Sequence, residues 1–145
     1  MELIMALMCD RAHATDDGKL DLHGVFSDLF APAFPARRDK MVLVAGIEWD
    51  RDDEGRFQFK VDLVDPAGRP VLTLDGHTDV DKRAPDRPPA RTWLIMPLQD
   101  VVFRAAGVHQ ITVRVKGKEF EGSSLHVLQS EGPAEPEKRP AKSKG

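Results

Sequence analysis

The stretch "RFQFKVDLV", residues 56–64, alternates without a break. Phe57, Phe59, Val61 and Leu63 share one parity; Arg56, Gln58, Lys60 and Asp62 share the other. A backbone with a two-residue side-chain period turns the first set to one face and the second to the opposite face, so the segment is a half-buried strand. A helix would scatter the same four apolar residues around its axis.

The pattern continues on both sides. "MVLVAGIEW" (41–49) sets Met41, Leu43, Ala45, Ile47 and Trp49 on one face, while Val42 and Val44 on the other predict a more central strand. The polar cluster "DRDDEG" (50–55) reads as the hairpin loop between these two strands. After Val64, "DPAG" supplies a turn opener, a proline with preset φ and a glycine that accepts positive φ. "PVLTLDGHTDV" (70–80), "TWLIMPLQDVVF" (92–103) and "VHQITVRV" (108–115) follow as strands. Pro97 restricts its strand to an edge or a bulge.

In the last strand Phe120 lies on the even phase, but Leu125 and Val127 lie on the odd one. That phase break predicts a β-bulge at Gly122–Ser124. An opening pair over residues 2–13 and 19–28 brings the count to about eight strands, with no helix. Turn signals roughly every ten residues predict an all-β, antiparallel sandwich over residues 1–129. "LFAPAFPARRDK" (29–40) reads as a crossing segment, "DKRAPDRPPAR" (81–91) as the longest internal loop, and residues 130–145 as a disordered polar tail.

Composition narrows the function classes. At 145 residues, 41% hydrophobic and 31% charged, the chain has the make-up of one soluble globular domain. A net charge of −3 gives no electrostatic footprint for nucleic acid or an anionic membrane. A single cysteine forms no intrachain disulfide, which fits a reducing, cytoplasmic compartment. "MELIMALMC" is short for a signal segment and places Glu2 where a basic region belongs, so it reads as a buried first strand.

Two groups of residues qualify as candidate sites. The stretch "MCDRAHATDDGKLDLHGVF" (8–26) collects Cys9, Asp10, His13, Asp16, Asp17 and His23. On a strand, however, Cys9 and His13 are separated by about 13 Å and cannot share an ion. "TDDGK" has the chemistry of a tight hairpin turn. Cys9 is expected to be buried and His23 to face solvent. The second group depends on topology: if every strand reverses, the loops 14–18, 50–55, 81–91 and 116–118 gather at one pole. Asp16, Asp17, Asp50, Asp52 and Asp53 are then candidate ligands for Ca²⁺, a cation that needs 6 to 8 oxygens. The same loops and their flanks bring Lys19, Arg51, Arg56, Lys82, Arg83, Arg87, Arg91, Lys116 and Lys118, enough cations to satisfy the carboxylates.

No G-x-S-x-G, H-E-x-x-H or Gly-rich phosphate loop is present, and no cofactor is implied. The expectation is a non-enzymatic module that binds a protein partner or has a structural role, with self-association possible through a sheet edge. A loop-borne Ca²⁺-dependent module and a hydrolase built on an unrecognised carboxylate pair are the alternatives.

Residues 3–128 also resemble a family of small uncharacterised bacterial proteins, a domain of unknown function. The resemblance rests on Cys9-Asp10, Gly18-Lys19, Leu20, Leu22, Gly24, Phe26 and Phe34-Pro35, then "DPAGRPV" (65–71) and "AAGVHQITVRVKGK" (105–118). Ala106 and His109 stand where that family usually has Pro and Tyr. The resemblance implies an immunoglobulin-like β-sandwich and assigns no activity and no catalytic residue.

Overall fold

The computed structural model describes residues 1–130, so the tail expected beyond Ser130 lies outside the described residues. The elements in chain order are β1 (Glu2–Ala14), β2 (Leu20–Phe26), β3 (Asp28–Ala31), β4 (Ala36–Glu48), β5 (Gly55–Val64), β6 (Pro70–Val80), β7 (Arg91–Phe103), β8 (Gly107–Val115) and β9 (Lys118–Gln129). They form a four-stranded sheet A in the order β2-β1-β4-β7 and a five-stranded sheet B in the order β3-β9-β8-β5-β6.

Alternation decides what each strand buries. In β5, Val61 and Leu63 are fully buried and Phe57 and Phe59 half-buried, with their neighbours turned out. Sheet A contributes Ala6, Met8, Leu43, Ala45 and Ile47 to the core, packed against Ile111, Val113 and Leu125 of sheet B. Full burial of one such aliphatic side chain is worth about 1.5–3 kcal/mol. β4 is central in its sheet, as Val42 and Val44 suggested, and Pro97 lies on β7 at the sheet edge.

The expected bulge is present. Gln110 pairs with Ser124 and Thr112 with Glu121, so two residues of β9 oppose one of β8. The bulge brings Gly122 against β1, where a Cβ would lie 2.8 Å from the carbonyl oxygen of Ala6. Only a glycine allows the two sheets to close this tightly along the β1/β9 seam.

The region 29–40 departs from expectation. It holds β3, parallel to β9 with Leu29 opposite Val127, and the first turn-free residues of β4 from Ala36. The described residues therefore contain nine strands, one of them paired in parallel. Four residues with one buried side chain, Leu29, are too few to display a period. β3 also adds a reversal of chain direction, and this moves the loops relative to one another. Among the described residues, no helix is long and apolar enough to cross a membrane.

Candidate functional site

The extra reversal divides the acidic loops between two poles. Ala14 pairs with Leu20 at one end of β1, and Glu2 pairs with Glu48 at the other. A 13-residue strand is about 40 Å long, so the turn with Asp16 and Asp17 is remote from Asp50, Asp52 and Asp53. The expected single pole is corrected on this point. Asp16 and Asp17 form the hairpin turn: Thr15 Oγ1 donates to Asp17 Oδ1, and Lys19 approaches the same carboxylate at 3.5 Å. The hydroxyl of Thr15 holds the Asp17 carboxyl below its usual range.

Asp50, Asp52 and Asp53 do converge, with one oxygen from each within 4.8 Å of the others. Asp53 N–H donates to Asp50 O at 3.1 Å, and Asp50 N–H donates to Asp53 Oδ2 at 2.9 Å, which folds the loop on itself. Two cations already serve the group. Lys116 Nζ lies 2.7 Å from Asp53 Oδ1 and 3.5 Å from Asp50 Oδ2; the Met1 ammonium lies 2.8 Å from Asp50 Oδ1. Lys116 is delivered by a two-residue hairpin loop in which it and Gly117 both have positive φ. These partners lower the Asp50 carboxyl and raise the Lys116 ammonium from their ordinary values. Beside the group, Arg51, Asp52, Asp53, Glu54, Lys82 and Arg83 line an open cleft of mixed charge.

The opening stretch does not converge. Cys9 is fully buried, and burial, with the neighbouring Asp10 carboxylate, pushes its thiol up. His13 and His23 are exposed on adjacent strands and stack at 6.4 Å, with His13 Nε2 3.1 Å from Asp21 Oδ2. Asp65 is another carboxylate with dense partners. It accepts from the N–H groups of Ala67 (2.9 Å) and Arg69 (2.8 Å) and from Arg104 (3.1 Å). It pins the β5–β6 turn. His109 packs edge-on against Phe103, its Nδ1 3.1 Å from Gly107 O and its Nε2 buried with no partner among the described residues.

Sequence reasoning missed a different surface. Sheet A buries a second apolar set that takes no part in the core: Cys9 and Val44 are 0% exposed, yet neither belongs to the core cluster. The register explains them. Leu7, Val44 and Ile95 form one outward row across β1, β4 and β7; Val25, Cys9, Val42 and Pro97 form the next; Met5, Gly46 and Trp93 form a third, with Ile4 beside it. Val25 is 55% and Ile4 39% exposed. The outward positions of sheet B are instead largely polar, as at Gln58, Lys60, Asp62, Thr112 and Arg114. The signal was on the page as "MELIMALMC" and "TWLIMP", continuous apolar runs where a strand with one wet face alternates.

The free edges are poorly suited to strand addition. β3 has four residues and β2 seven, β7 carries Pro97 and a left-handed Asp100, and β6 presents Asp75 and Asp79.

No curated protein matches the chain. A family model matches residues 4–128, and the chain belongs to that family, a family of unknown function (DUF6941).

Proposed function

We propose that this family member is a non-catalytic protein-binding module that docks through the outward face of sheet A. The observation that carries the reading is the set of three apolar rows on that face, turned away from the core. Contiguous apolar patches beyond a few hundred Å² are rare on monomeric soluble proteins and mark interaction sites. The clustered carboxylates support the same reading from the other side. Asp50, Asp53 and Asp65 are committed to ion pairs and turn N–H groups that hold loops in place.

The immunoglobulin-like description of the sandwich belongs to this proposal. β4 beside β7 reproduces the B–E adjacency of that fold, and β9-β8-β5 reproduces G-F-C. A reducing, cytoplasmic location is part of it too, on the strength of one buried cysteine.

The test is a parallel capture from host lysate with the full chain and with Ile95→Lys as baits. Proteins held by the first and lost by the second support the reading. Identical sets on both baits overturn it.

A further inference from the structure

We propose that the occupant of this face is a second copy of the chain, stacked sheet A on sheet A about a two-fold axis that passes over Val44 and reverses strand direction. The inference rests on the docking reading above and gives the partner an identity.

Charge placement selects this arrangement. Along β4, the outward parity runs Lys40, Val42, Val44, Gly46, Glu48. A cation and an anion thus flank the apolar rows at equal distance from Val44. The Glu48 carboxylate lies 3.8 Å from Arg91 of β7, and both carboxylates of that end, Glu48 and Glu2, stand opposite each other across β4 and β1. β1 repeats the polarity, with Glu2 at one end and Arg11 at the other, both exposed. A two-fold axis across the strands at Val44 places Lys40 of each copy over Glu48 of the other, and Arg11 over Glu2. Apolar rows then meet apolar rows. A parallel stacking would set Lys40 over Lys40, and like charges across an interface are disfavoured.

The size agrees. With strands about 4.8 Å apart and rows about 6.8 Å apart, the three apolar rows cover about 300–400 Å² per copy, and the face reaches on the order of 550 Å² when the charged row at either end is counted with them. That is within reach of the roughly 800 Å² per partner of a standard stable interface. Among residues 131–145 the apolar side chains are those of Ala and Pro.

Sedimentation velocity of the full chain, from low to high micromolar, tests the proposal. The expected mass is close to twice the 16.1 kDa of one chain. Ile95→Lys returns it to a single chain, with circular dichroism and thermal midpoint unchanged to show that the fold is intact. Lys40→Glu and Glu48→Lys each weaken the dimer by about tenfold or more, and the two together restore it. A chain that stays monomeric overturns the proposal, and so does a dimer that Ile95→Lys leaves intact. Failure of the pair to compensate removes the antiparallel arrangement. A monomer whose lysate partners are still lost in Ile95→Lys overturns the second copy alone and leaves the docking reading standing.

Discussion

The ring of Trp93 occupies the space that a side chain at Gly46 would fill, on the face of sheet A turned away from the core. Glycine is required there by packing, since residue 46 keeps ordinary strand conformation. Gly46→Ala is expected to displace the indole and cost about 1–3 kcal/mol, the usual range for overpacking. Urea denaturation reads the loss, and tryptophan emission reads the shift in ring environment. An unchanged midpoint would refute the packing assignment.

Gly122→Ala should be the more damaging of the two. Its Cβ would meet the Ala6 backbone at 2.8 Å, and a carbonyl cannot swing aside as an indole can. The expected loss is at or above about 3 kcal/mol, measured by the same denaturation series. A smaller loss than in Gly46→Ala would show that the β1/β9 seam has slack.

Asp65 predicts a pH dependence with a definite sign. Hydrogen bonds from Arg69, Arg104 and Ala67 hold its carboxyl below the ordinary value of 3.8. A lowered native value means the carboxylate contributes stability above the unfolded value, and that contribution disappears as pH falls through the native one. The stability difference between the wild type and Asp65→Asn should therefore be constant at neutral pH and shrink below about pH 4. Denaturation midpoints for both chains across that window check it. A difference that persists undiminished in strong acid would assign the effect to turn geometry and not to charge.

Millimolar calcium should leave the thermal midpoint of the wild-type protein unchanged. The Lys116 ammonium, 2.7 Å from Asp53, stands where a dication would have to compete for Asp50 and Asp53. Differential scanning fluorimetry with and without chelator measures this. A calcium-dependent rise would return the loop carboxylates to the status of a metal site.

Cys9 should react with a thiol reagent only at the rate at which the protein opens. Its side chain is fully buried, and burial holds the thiol above the ordinary value of 9.0, so little thiolate forms. Labelling rates compared with unfolding rates in denaturant decide the point. Rapid labelling of the native protein would mean that the outward face opens far more often than its packing implies.

Much of the fold was legible in the residues. Alternation gave the inward set of β5, the phase break at Gly122–Ser124 gave the bulge, and Pro97 gave the edge. His23 was readable as exposed from its phase opposite Leu20, Leu22 and Phe26, and Cys9 as buried from its small apolar side chain; both stand on the outward face of sheet A, so parity alone does not separate them. The candidate site was less legible. Asp50, Asp52 and Asp53 lie in one loop, so sequence proximity alone brought them together. Asp16 and Asp17 were grouped with them through an even count of reversals that β3 upsets.

What the sequence determined by itself is local: the pleat imposes a two-residue period, so the presence of a strand and the parity of its faces can be read along the chain. The tertiary structure decided what depends on several strands at once. The direction of each loop follows from β3, which is too short to show a period and is fixed by parallel pairing with β9. The second apolar face of β4 marked a central strand, and β4 is central. Among the described residues no further layer lies over that face, and Val44 sits at the centre of a surface where its neighbours in sheet A cover it.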